Sequence, residues 1–179
     1  MDSSLFFAEG VGCVIDVKSD LGDTRDLERG IKQIPKVKTL ERKFENKAEF
    51  YGNIDEANRA KRIASVIFGD KGPSDVSKFK KTIDEIHKKL KIPLEQQTDF
   101  FVVMDKGLII YNINGSGYPR NWAIKDEKVT GLFGAYWKEK TLFEFFFMIS
   151  RLMPREFRRL PIITFYLENI RMDKPYEVF

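Results

Sequence analysis

An apolar run near the start of the chain carries an acid and a lysine two positions apart. The run spans Gly12–Ser19, and its β-branched and small apolar residues predict a buried β-strand. Side chains alternate across a strand, so Asp16 and Lys18 share one face. Ile15 and Val17 are then expected to enter the core from the other face. Because buried charges are costly unless they are paired or bound to a metal, the strand is a candidate for either arrangement.

Size and composition are those of a globular protein. The 179 residues fit one domain with a sizeable core, and we expect a single domain over residues 1–179. The 42% hydrophobic and 32% charged shares exclude the disordered and fibrous classes. A net charge of +4 is compatible with a polyanionic partner but does not establish one. The one cysteine and one histidine exclude an internal disulfide, a cysteine-based zinc site and a two-histidine metal site.

Targeting signals are not recognisable in the sequence. No basic segment followed by an apolar stretch begins the chain, so we expect no signal peptide. The most apolar segment, Leu142–Ile149, is too short to span a bilayer, which needs about 20 residues. We therefore expect a cytoplasmic protein with no membrane partner.

The apolar periodicity predicts alternating strands and helices. Apolar spacing from Leu27 to Phe44 predicts a helix with a kink at Pro35 or a break there into two helices. A tight hairpin is expected around Asp105 and Lys106. Residues 131–137 carry no decisive pattern. The other expected elements are a strand at 63–68, a helix at 75–92, a strand at 122–125 and an apolar helix at 141–153. This order predicts an α/β fold with a mixed sheet flanked by helices.

The stretch Phe7–Ser19 resembles the core motif of the PD-(D/E)XK, or restriction-endonuclease-like, nuclease superfamily, in a bacterial and phage branch. The lysine-rich helix Leu27–Lys43, the strand Ile63–Phe68 and the late helix with Leu142 and Phe145 also fit that branch. The resemblance implies a restriction-endonuclease-like mixed sheet flanked by helices. It also implies hydrolysis of nucleic-acid phosphodiesters, most simply in DNA.

The resemblance assigns roles to three residues. It implies that Asp16 binds Mg²⁺ or Mn²⁺, and that Lys18 orients the attacking water and stabilises developing charge. Magnesium prefers oxygen ligands and lowers the pKa of bound water, which is consistent with these roles. The superfamily places a further acid on an earlier strand. Only Asp2 and Glu9 precede Asp16, so Glu9 is the candidate second metal ligand, and we expect an N-terminally shortened version of the fold.

Two alternatives to a simple active nuclease remain open. Because the earlier acid is doubtful, the chain can instead be a catalytically degenerate relative that binds nucleic acid or protein. Acid-x-lysine can also be an exposed ion pair at a strand end. Asp16, Lys18 and Glu9 are the candidate catalytic residues. The candidate nucleic-acid contacts, each with a solvated surface as its alternative, are Lys78, Lys81, Arg155, Arg158 and Arg159.

Two further expectations concern the helices. His87 lies among lysines and is expected to be exposed and structural. The segment Phe145–Phe147 offers more apolar surface than one helix needs, which suggests a homodimer.

Overall fold

A mixed β-sheet forms the centre of the fold. The computed structural model describes residues 11–40, 63–112, 131–152 and 177–178. The sheet has five strands and a two-residue sixth, in the order β1 to β6 along the sheet. Among the described helices, two cover one face and a third covers the other. The strands are β1 (Cys13–Asp20), β2 (Ala64–Lys71), β3 (Phe100–Val103), β4 (Leu108–Asn112), β5 (Leu132–Tyr136) and β6 (Glu177–Val178); the helices are α1 (Thr24–Lys38), α2 (Val76–Lys89) and α3 (Thr141–Leu152).

The first half of the sheet is parallel. β1 pairs with β2, and β2 pairs with β3, in the same direction, with α1 and α2 as the crossovers. Each helix begins at an aspartate whose side chain accepts a hydrogen bond from the first turn: Asp23 from the Arg25 amide and Asp75 from the Lys78 amide. These caps determine the residue at which each of the two helices begins.

The second half of the sheet is antiparallel. β3 and β4 form the predicted hairpin, and β5 and β6 extend it. Gly107 ends the connection with φ of 61°, and a Cβ there would lie 2.5 Å from the Cα of Lys138. Only glycine satisfies both the left-handed backbone and this close approach. The predicted strand at 122–125 lies outside the described residues.

Each face of the sheet carries its own apolar core. The α1–α2 side is filled by Leu27, Ile31, Ile34, Phe79, Ile83, Ile86, Ile67, Phe101 and Ile110, among others. The α3 side is filled by Val66, Phe100, Val102, Ile109, Tyr111, Phe133, Trp137, Phe145 and Met148, among others. This confirms the mixed α/β class and the apolar stripe of α2. Every helix in the described part of the chain is too short or too polar to cross a bilayer.

The prediction for the two faces of β1 is wrong. Asp16 and Lys18 do share a face, but it is the inner face beneath α1, whereas Ile15 and Val17 are exposed. The error arises because β1 lies at one end of the described sheet, beyond the reach of α3. Alternation gave the correct pairing of side chains, but not which face the helices cover.

Helix α1 is one continuous helix that ends at Lys38. Pro35 lies in its last turn, and the Thr39 amide closes the helix on the Pro35 carbonyl at 3.0 Å. Proline removes one helical hydrogen bond, so a helix that stops within a turn of it loses little. The predicted continuation beyond residue 40 lies outside the described residues.

His87 is buried, contrary to the expectation of an exposed residue. It is 3% exposed, and its ring lies 6.4 Å from the ring of Phe101. Neither ring nitrogen has a hydrogen-bond partner among the described residues. Burial disfavours the charged imidazolium and lowers the pKa of His87 from 6.5 to about 4. The lysines beside it in sequence hid its position on the apolar side of α2.

This burial predicts a loss of stability in acid. The unfolded chain takes up a proton near pH 6.5, whereas folded His87 stays neutral to about pH 4. The contribution of neutral His87 to the free energy of unfolding is complete above pH 6.5. It declines by about 3 kcal/mol as the pH falls toward 4. Urea unfolding of wild type and His87→Leu at about pH 7.5 and about pH 4.5 should show a shallower loss in the variant. Equal losses would contradict this account.

Candidate active site

The predicted pair lies in the centre of β1 and faces α1. Lys18 Nζ donates a hydrogen bond to Asp16 Oδ1 at 2.8 Å. Their side chains are 8% and 19% exposed, respectively. Residues two apart on a strand project from the same face, which is why the chain brings them together without any tertiary contact. The charges are thus mutually compensated and still partly accessible.

The second oxygen of Asp16 has an unusual neighbour. Oδ2 is buried and receives no hydrogen bond from any described residue. It lies against Gly30 in α1, where a Cβ would be 2.6 Å from this oxygen and 3.4 Å from Cε of Lys18. Glycine within a helix costs about 1 kcal/mol relative to alanine. Gly30 therefore lets the backbone of α1 approach the carboxylate closely, at the expense of helix stability.

The donor set can be compared with the needs of a divalent cation. A buried carboxylate oxygen without a hydrogen-bond donor leaves part of the charge of Asp16 uncompensated, and a small hard cation is one partner that compensates such a charge. The described residues contain no group of three histidine, cysteine, aspartate or glutamate side chains that could share a metal. Magnesium is often held by one or two carboxylates together with waters and substrate phosphates. Asp16, whose side chain is 19% exposed, would supply one carboxylate to a site of that kind.

Of the other predicted site residues, the structure describes Lys78 and Lys81, and it does not bring them to this pair. Lys78 and Lys81 are exposed on α2, as expected, and Lys81 lies 3.9 Å from Glu85. Val76, at the start of α2, packs against Gly134 in β5, four strands from β1. Lys78 therefore lies away from Asp16. Glu9, Arg155, Arg158 and Arg159 lie outside the described residues.

A buried polar cluster forms at the opposite end of α1. The ammonium of Lys38 contacts Asp99 Oδ2, and both side chains are buried. The same oxygen accepts hydrogen bonds from the Ser65 amide at 2.7 Å and the Ser65 hydroxyl at 3.0 Å. Ser65 is near the start of β2, and Asp99 immediately precedes β3. The cluster thus ties the C-terminal end of α1 to the starts of two parallel strands.

Sequence reasoning missed this cluster and Gly30, although both left a signal. Lys38 is four residues after Ile34, so helical spacing places it on the buried stripe of α1. Gly30 lies beside Ile31 and three residues after Leu27, on the same stripe. A lysine or a glycine at a core position of a helix indicates a specific contact. Asp99, directly before an apolar strand, had no comparable signal.

A second polar group lies on the α3 side of the sheet. Trp137 Nε1 donates to the hydroxyl of Tyr111 at 2.7 Å. That hydroxyl lies 3.4 Å from Glu144 Oε1, so α3 presents a buried carboxylate to the sheet. The group is separated from Asp16 by the sheet itself and does not contribute to the candidate site.

Comparison with known proteins adds no identification. No protein family model, no curated protein sequence and no solved structure matches the chain. The assignment of function therefore depends on the residues and geometry described above.

The close approach of Gly30 to Asp16 predicts the effect of adding a methyl group. Gly30→Ala should lower the free energy of unfolding by about 1–3 kcal/mol, because the clash outweighs the gain in helix propensity. In an Asp16→Ala background the same change should be neutral or stabilising, because the 2.6 Å contact is gone. Urea unfolding of the four proteins measures this coupling, and additive effects would contradict it.

The buried cluster predicts an unequal cost for two lysines. Lys38→Met should destabilise the fold by about 3–5 kcal/mol, because it leaves the Asp99 carboxylate buried without a cation. Lys89→Met is the matched control. Lys89 bonds Glu28 at 2.8 Å on the surface, and such pairs contribute about 0–1 kcal/mol. Similar unfolding free energies for the two variants would show that Lys38 is not needed to compensate Asp99.

Proposed function

We propose that the chain is a divalent-metal-dependent nuclease of the PD-(D/E)XK type that hydrolyses phosphodiester bonds in DNA. The observation that carries the proposal is the Asp16–Lys18 pair on one face of β1, with the second Asp16 oxygen lying against Gly30 and receiving no hydrogen bond from the described residues. A mixed sheet with helices on both faces is compatible with a restriction-endonuclease-like fold.

Each residue has a distinct task in this proposal. Asp16 would hold the cation, and its Oδ1 accepts a hydrogen bond that positions the ammonium of Lys18. Lys18 orients the attacking water and stabilises the charge that develops on the phosphate. When bound, Mg²⁺ or Mn²⁺ polarises the phosphate and makes water more acidic. Gly30 brings the backbone of α1 against the carboxylate, where any larger residue would displace Asp16.

Charge compensation is consistent with such a site at rest. Without a bound cation, Asp16 and Lys18 neutralise one another at 2.8 Å. This contact lowers the cost of holding both charges in a partly buried position. A phosphate near Lys18 offers the ammonium a second acceptor, so Lys18 can donate a hydrogen bond to the substrate while it keeps its contact with Asp16.

A second candidate is a binding module that has lost catalysis. It is favoured by the same ion pair together with the composition of the site, since the described residues hold no group of three acidic, histidine or cysteine side chains that could share a metal. In this case the chain binds nucleic acid through its lysines and arginines, or binds a protein. A strong decrease of DNA affinity with salt would identify phosphate contacts.

Cleavage assays test the first candidate. The full chain is incubated with plasmid and single-stranded DNA, with Mg²⁺ or Mn²⁺, beside Asp16→Asn and Lys18→Met. We expect cleavage by the wild type and a loss of about 100-fold or more in each variant, the usual scale for removing a preorganised electrostatic group.

Two control variants report on unspecific effects. Asp20→Asn alters an exposed acid of the same strand and retains an oxygen that can accept the Gly22 amide. Lys36→Met removes an exposed lysine of α1. Both should cleave like the wild type. Equal cleavage by all five proteins, or none by the wild type with either metal, would reject the nuclease and leave the binding module.

A further inference from the structure

Strand β1 has an open edge from Val14 to Asp20 in the described part of the chain. Among the described strands this stretch pairs with β2 alone, and it includes no proline. Such an edge presents a row of backbone donors and acceptors that favours pairing with another strand. Natural proteins usually protect a long edge of this kind, or use it.

The exposed face of β1 is apolar. Ile15 is 43% exposed and Val17 is 69% exposed, on the side of the sheet opposite α1. Val17 is in register with Phe68 of β2, whose ring lies 5.3 Å from that of Phe145. The ring of Phe145 is in turn 5.4 Å from that of Phe146, which is 53% exposed. An apolar strip therefore runs from the sheet edge toward α3.

The charges on β1 complement those of an identical strand running in the opposite direction. In the antiparallel register centred on Val17, Asp16 lies opposite Lys18 of the second copy, and Lys18 lies opposite Asp16. Val17 then faces its own copy, and Ile15 faces Ser19. The two adjacent registers that keep the faces aligned are centred on Asp16 or on Lys18. Each sets like charges directly opposite one another, which is destabilising.

We propose that β1 pairs with β1 of a second copy of this chain, antiparallel and in the register centred on Val17. The sheet then continues across a twofold axis, as in other isologous interfaces. Pairing packs Val17 against its copy and Ile15 against Ser19. It also provides hydrogen-bond partners for the backbone donors and acceptors at the edge of β1. This interface lies on β1, whereas the dimer suggested by the sequence involved Phe145–Phe147, of which only Phe146 is exposed.

Cross-linking tests both the partner and the register. In a Cys13→Ser background, Val17→Cys should form a disulfide-linked dimer under mild oxidation, because directly opposite Cβ atoms are roughly 4.5–5.5 Å apart. Ile15→Cys is the matched control. Its two copies would be about 13 Å apart along the strands and should not link. A mixture of Ile15→Cys and Ser19→Cys proteins should link to each other.

Association in solution tests the proposal independently. Sedimentation equilibrium should show a dimer for the wild type. Val17→Glu should raise the dissociation constant of the dimer about tenfold or more, because the substitution places two like charges opposite one another and removes the apolar contact. Leu40→Glu is the control, since this exposed leucine lies beyond the end of α1 and not on β1. It should leave the constant unchanged.

Several outcomes would overturn the proposal. They are a wild-type monomer without cross-linking at position 17, linkage at position 15 as efficient as at 17, and a dimer insensitive to Val17→Glu. A monomer in which the thiol introduced at position 17 is shielded from a thiol reagent would assign the edge to another segment of the same chain. These measurements need no nuclease activity, so they stand apart from the proposed function.

Discussion

The position of α1 on the sheet depends on a close steric approach at one point of the helix and a buried ion pair at another. Near its middle, Gly30 approaches the Asp16 carboxylate so closely that no side chain fits between them. At its C-terminal end, Lys38 contacts Asp99, which also accepts both hydrogen bonds from Ser65. Between these points Ile31 and Ile34 fill the apolar core. Apolar packing alone tolerates small sliding, whereas a buried charge pair has one geometry that compensates it. The Lys38–Asp99 cluster lies outside the candidate site, but by positioning α1 it also positions Gly30 against Asp16.

Much of the architecture could be predicted from local sequence, because local spacing determines it. The stripe of α2 and the hairpin around Asp105 and Lys106 each depend on neighbours within a few residues, and both are confirmed. The relation of Asp16 to Lys18 is also local, so it was predicted correctly. Which face of β1 is covered by helices is not determined by local sequence. It depends on where α1 and α3 pack, and a two-residue period contains no information about that.

The same distinction explains the two residues whose environments were missed. His87 lies one position from Ile86, and its neighbours Lys88 and Lys89 are exposed, so composition suggested a solvated surface. Its burial against Phe101 is set by the crossing of α2 over β3. Asp99 precedes a fully buried strand and has polar partners on α1 and β2, far away in sequence. Contacts between distant elements decide whether a polar residue is paired, and one sequence does not show them.

Strand β1 serves both proposals through different groups. Side chains of Asp16 and Lys18 project toward α1 and provide the candidate chemistry, whereas self-association uses the backbone edge and the opposite face with Ile15 and Val17. Pairing of two copies would nevertheless bring the two charged pairs side by side. Each Asp16 would then have a lysine on its own strand and another across the axis. That arrangement strengthens compensation of Asp16 and reduces its tendency to bind a cation, since each added ammonium competes for the same carboxylate. An active nuclease would then work best as the dissociated chain, and a binding module would not depend on dissociation.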